Sequence, residues 1–147
     1  QTFWLRFKRK DGFSMKKLDH YRANLEVLST AGQQDLENEF VIGGIIDKFM
    51  IQFELGWKVL KELLQYEGRS EARSGSPREI LKTAFQVYDF VDEDLWIAML
   101  RDRNNMSHIY DGNAARRLAL TIIDAYIPAF QRMEREIVKR YSTAGLS

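Results

Sequence analysis

Residues Phe40 to Gly68 read FVIGGIIDKFMIQFELGWKVLKELLQYEG, and the spacing of their apolar side chains sets the fold class. Phe49, Phe53, Trp57, Leu60 and Leu64 recur every three or four residues, led in by Val41, Ile42, Ile45 and Ile46. That period is helical; a strand would alternate with period two. The pattern predicts one long helix from about residue 36 to residue 66, stopped at Glu67-Gly68. Phe49, Phe53 and Trp57 are expected in the core. Gly43-Gly44 lies inside the helix, where each glycine costs about 1 kcal/mol relative to alanine. The pair is therefore read as a place where another helix comes close.

Outward from this rod the same period continues. Leu18, Tyr21, Leu25 and Leu28 predict a first helix over about 16–30, closed by Ala31-Gly32. Ser76-Pro77 is a serine cap followed by proline at the first helical position, and Glu79 completes a capping box. The helix it opens ends near Tyr88. Asp92 caps a fourth, with Leu95, Trp96, Met99 and Leu100, that ends near Met106 or Ser107. Asp111-Gly112-Asn113 opens the last, which carries Leu118, Ile122, Tyr126, Phe130, Met133, Ile137 and Tyr141. Pro128 is expected to kink that helix without ending it. The fold class is all-α, an antiparallel bundle of four to five helices. Residues 15–147 form its single domain. Residues 1–14 (QTFWLRFKRKDGFS) differ in composition and read as a poorly ordered arm or tag-like leader, with Met15-Lys16-Lys17 resembling a start.

Composition narrows the function. The 147 residues carry 22 basic and 21 acidic side chains, net +1, so any nucleic-acid contact must be a local site. With no cysteine there are no disulfides, zinc–thiolate sites or cysteine nucleophiles. The imidazoles are His20 and His108, too few for a histidine-rich metal site. No metal or cofactor is expected. No apolar run approaches the roughly 20 residues of a membrane helix, and no signal peptide is visible, so the expected compartment is the cytoplasm.

The chemistry-bearing run is Arg103-Asn104-Asn105-Met106-Ser107-His108-Ile109-Tyr110. Arginine holds phosphate with a planar fork of donors, and histidine moves a proton near neutral pH. On an unbroken helix the two would stand about 140° apart, so joint action requires the helix to end between them. In metal-free RNA cleavage the 2′-hydroxyl loses a proton and the leaving oxygen gains one. His108 fits one of those roles and Arg103 stabilises the phosphate charge. His20 is a weak candidate for the second role; a two-fold dimer presenting two copies of His108 is more economical. The alternative reading is structural: Arg103 pairs with Asp102 or Glu93, and His108 caps a helix end. The acidic run Asp89, Asp92, Glu93 and Asp94 reads mainly as a helix start.

Taken together, FELGWKVLKELLQYEG (53–68), Ser76-Pro77-Arg78-Glu79, Leu95-Trp96, Asp102-Arg103-Asn104 through His108-Ile109-Tyr110-Asp111, and Tyr126-Ile127-Pro128-Ala129 resemble the nucleotidyltransferase substrate-binding protein family of the HEPN superfamily. The resemblance covers roughly residues 15–141. It implies a dimerising helical bundle and a small, separate nucleotidyltransferase partner encoded nearby. Related HEPN proteins are toxin ribonucleases, which the paired transferase silences by adding AMP to a tyrosine. Carried over, Arg103 and His108 are the catalytic pair and Tyr110 the modified residue. Asp102, Asn104 and Arg101 support them or bind phosphate. RNA or a nucleotide is the implied ligand. Two alternatives remain open: a non-enzymatic nucleotide-binding subunit, and a purely structural interaction module.

Overall fold

The computed structural model describes residues 16–109 and 111–142, and among them every regular element is helical. We label them α1 (Lys16–Leu28), α2 (Glu39–Tyr66), α3 (Pro77–Val87), α4 (Glu93–Asn104), α5 (Gly112–Thr121) and α6 (Ile127–Tyr141). A π-helical turn, Ile122–Tyr126, joins α5 to α6. The leader, residues 1–14, lies outside the described residues.

The starts follow local chemistry. Asn38 caps α2 through Phe40 N–H, so the helix begins three residues later than its apolar pattern implies. Ser76 and Glu79 form the reciprocal capping box of α3, with Pro77 in the first turn. Asp92 caps α4 and Asp111 caps α5. Near the other proline, the Ile127 N–H bonds the Ile122 carbonyl five residues back. Pro128 has no N–H to donate, so the widened turn lets the rod pass the gap in its ladder.

The long rod α2 is the axis. Helix α1 runs antiparallel to it: Lys17 meets Glu62, while Asn24 meets Lys48 and Gln52. Gln52, fully buried, donates to the Tyr21 carbonyl and accepts from Asn24, so its amide is satisfied inside the seam. The Tyr21 hydroxyl donates to the Phe130 carbonyl (2.8 Å), fastening α1 to α6. Burial, and secondarily the Glu134 charge, hold that phenol well above its ordinary pKa. Phe49, Phe53, Trp96 and Phe130 meet at the centre with ring separations of 5.5 to 6.3 Å.

The close approach expected at Gly43-Gly44 occurs elsewhere. A Cβ at Gly43 or Gly44 would touch nothing within 4 Å. At Gly56 it would lie 2.9 Å from Trp96 Cη2, 3.1 Å from Cζ3 and 3.3 Å from Tyr21 Cε1. The glycine that lets helices meet is the one facing the indole. The exposed pair instead borders a groove of about 370 Å³, with Gly43 among its walls and Met106, Ile109 and Asp111 opposite.

Candidate functional site

Trp96, Met99 and Leu100 seat α4 in the core, and Arg103 is the next position on that stripe, at the helix end. Its guanidinium therefore leaves the core at the rim, with 29% of the side chain exposed. Nη2 lies 2.9 Å from Glu54 Oε2 and 3.2 Å from Oε1; Nη1 donates to Asn104 Oδ1 (3.1 Å). The structural alternative named Asp102 or Glu93 as the partner. The actual partner is Glu54, 49 positions earlier on α2. Trp57 Nε1 also donates to Glu54 Oε2 (3.2 Å). One carboxylate thus orients both the arginine and the indole. A pair this accessible contributes about 1 kcal/mol at most, so its effect is mainly orientation. Guanidinium carries five N–H donors, and part of this fork still faces solvent.

Asp102 is held differently. It accepts a hydrogen bond from the Tyr126 hydroxyl, and the Tyr126 ring stacks on Phe49 (5.3 Å, 21°). Burial first, then that hydrogen bond, raise the Tyr126 pKa, so the phenol stays a donor. Asp102 therefore anchors the last turn of α4 to the π turn, while Asn104 contacts Arg103 itself. Arg101 is exposed and forms no ion pair among the described residues.

Helix α4 ends at Asn104, and a separate 3-10 turn, Met106–His108, follows. The break falls between Arg103 and His108, as their joint action requires, so the 140° separation of a continuous helix does not apply. The side chain of His108, and Tyr110 altogether, lie outside the described residues. His20 is exposed on α1 and lines a shallow depression of about 690 Å³ together with Glu54. Val27 and Ile51, 52% and 47% exposed, make that depression largely apolar.

Phe49 and Phe53 are fully buried, but Trp57 is only half-buried and belongs to the rim. Glu54 and Tyr126 are site residues that motif reading missed. Glu54 is one turn before Trp57 on the same helix, a spacing visible in the sequence, but its pairing with α4 is not. No group of three or more histidine or acidic side chains capable of holding a metal occurs among the described residues. No helix among them is long and apolar enough to cross a membrane.

Similar sequences occur among known proteins. The family model described as nucleotidyltransferase substrate binding protein like matches residues 16–139. A probable ribonuclease HepT from Haemophilus influenzae is 29% identical over 105 residues, covering 70% of this chain and 72% of that protein.

Proposed function

This chain belongs to the nucleotidyltransferase substrate binding protein like family, and we propose that it is the partner subunit of a small nucleotidyltransferase and a metal-independent ribonuclease. The observation that carries this reading is the Arg103 guanidinium, held by Glu54 at the rim of an open depression, on a helix that stops before His108. In the proposed step a 2′-hydroxyl attacks the adjacent phosphorus and loses its proton to a base. The 5′-oxygen leaves and takes a proton, and Arg103 balances the extra negative charge between. His108 supplies one proton transfer. A second copy of the chain supplies the other, seated on the apolar face around Val27 and Ile51. The similarity to a probable ribonuclease supports the class of reaction.

Regulation follows the same chemistry. The partner transfers AMP from ATP to the Tyr110 oxygen and releases pyrophosphate. The bulky anion beside His108 then competes with RNA for Arg103. Both proteins are placed in the cytoplasm.

The test is cleavage of single-stranded RNA in EDTA by the wild type, Arg103→Ala and His108→Ala. We expect loss of roughly 10²-fold or more in each variant. Ile51→Asp should lower the mass in solution to one chain and lower cleavage with it. RNA left equally intact by wild type and His108→Ala would remove the enzymatic reading. Nucleotide binding that is lost in Arg103→Ala would then support a non-enzymatic binding subunit.

A further inference from the structure

The arginine site continues along α2. Glu54, Trp57, Lys58 and Lys61 stand at i, i+3, i+4 and i+7, one face of the helix. At 1.5 Å per residue this row is about 10 Å long. Its first member holds Arg103 (2.9 Å) and Trp57 Nε1 (3.2 Å). Lys58 Nζ lies 5.8 Å from the Trp57 ring centroid. Beyond, Lys17 of α1 joins Trp57, Lys58 and Lys61 around a depression of about 410 Å³.

The ordinary account of such lysines is a solvated helix face neutralised by nearby carboxylates. It does not hold here. The carboxylate four residues after Lys58 is Glu62, and Lys17 takes it at 2.9 Å. Lys58 and Lys61 form no ion pair among the described residues. Three ammonium groups against one carboxylate leave a local charge of +2, on a chain whose total is +1. The half-buried indole in their midst is fixed at one edge by Glu54. A tethered ring among unpaired cations is suited to stack a base while the cations meet flanking phosphates.

We propose that Trp57, Lys58, Lys61 and Lys17 form the binding track for single-stranded RNA adjoining the Arg103 site. A strand whose reacting phosphate lies at Arg103 extends along α2, with the neighbouring base on Trp57 and the next phosphates at Lys58 and Lys61. Glu54 sets the junction, because one carboxylate positions both the phosphate-binding fork and the stacking ring. A duplex fits poorly, since its bases are already stacked and cannot reach the indole. The identity of the strand rests on the ribonuclease reading; the existence of the track does not.

The test is fluorescence anisotropy of a labelled single-stranded RNA of twelve uridines with the full chain, in EDTA. The variants are Lys58→Gln/Lys61→Gln, Trp57→Leu and, as control, Lys82→Gln on α3. Removing two phosphate contacts should flatten the slope of log affinity against log salt by about 1.4. Trp57→Leu should weaken binding about tenfold with the slope kept. Quenching of indole fluorescence on binding should be smaller in Trp57→Leu than in the wild type. Lys58 and Lys61 are half-buried but form no ion pair among the described residues, so the double variant keeps the test valid if Trp57→Leu folds badly. Affinity and slope unchanged from Lys82→Gln would overturn the track, as would equal affinity for a duplex or tight binding of UMP with none of the oligomer. RNA bound through these residues yet uncleaved would sink the ribonuclease reading alone. RNA cleaved by the double lysine variant with unchanged KM would sink the track alone.

Discussion

The same substitution, glycine to alanine, should have opposite signs at two positions of α2. In a helix interior alanine is favoured over glycine by about 1 kcal/mol. At Gly44 nothing lies within 4 Å of the new methyl, so that gain is kept. At Gly56 the methyl would lie 2.9 Å from Trp96 Cη2, roughly 0.6 Å or more inside an ordinary carbon contact of about 3.5–4.0 Å. Neither neighbour can yield easily. Trp96 and Tyr21 are fully buried, and the Tyr21 hydroxyl is tied to the Phe130 carbonyl. Overpacking costs about 1–3 kcal/mol, and the rigid surroundings point to the upper end. Gly56→Ala should therefore lose about 2 kcal/mol net, while Gly44→Ala gains up to about 1. At about 2–4 °C per kcal/mol for a chain of this size, Tm should fall by about 4–8 °C in the first and rise by about 2–4 °C in the second. Urea unfolding followed by circular dichroism gives both values, and near-ultraviolet signals should report the displaced indole only at Gly56. If Gly56→Ala proves as stable as the wild type, the close helix contact at Trp96 is not what requires that glycine.

Other outcomes follow from the polar contacts. Tyr126→Phe removes the donor to Asp102, and a hydrogen bond to a charged group contributes about 1.5–3 kcal/mol. The loss should appear in urea unfolding, and in faster amide exchange across residues 101–106 than across α3. Alkaline pH should also destabilise the fold. Burial pushes the Tyr88 phenol up to about 12 from 10.0. The unfolded chain thus releases this proton first, and stability present below pH 10 is lost as pH rises toward 12. That one group accounts for about 2–3 kcal/mol. Tyr21, Tyr126 and Tyr141 shift in the same direction. Urea midpoints should therefore fall steadily above pH 10 and stay flat between pH 7 and 9; a flat profile to pH 12 would contradict buried, neutral phenols.

Helix starts were legible because a cap is a contact between residues two or three positions apart, as Ser76 and Glu79 or Asp92 and Leu95 show. That the fourth helix ends between Arg103 and His108 was legible too, although it ends at Asn104 and not at the expected Met106 or Ser107. Gly43-Gly44 misled, because a glycine pair declares only that backbone is available for approach. Whether another helix arrives depends on packing, and it arrives at Gly56. Trp57 misled in the opposite way: its period places it on the apolar stripe, but its indole is only half-buried and donates to Glu54 at the rim, while Leu60, Leu63 and Leu64 beyond it are fully buried.

By itself, then, the order of residues determined the period, the caps, the helical class and the family, all of which depend on neighbours along the chain or on shared motifs. Only the folded bundle decided that Arg103 belongs with Glu54, Asp102 with Tyr126, and Lys17 beside Trp57, Lys58 and Lys61. Those pairings join helices whose contact residues lie 24 to 49 positions apart. Their meeting depends on how the rods pack around Trp96 and Phe130, a collective property of the core that no local spacing records.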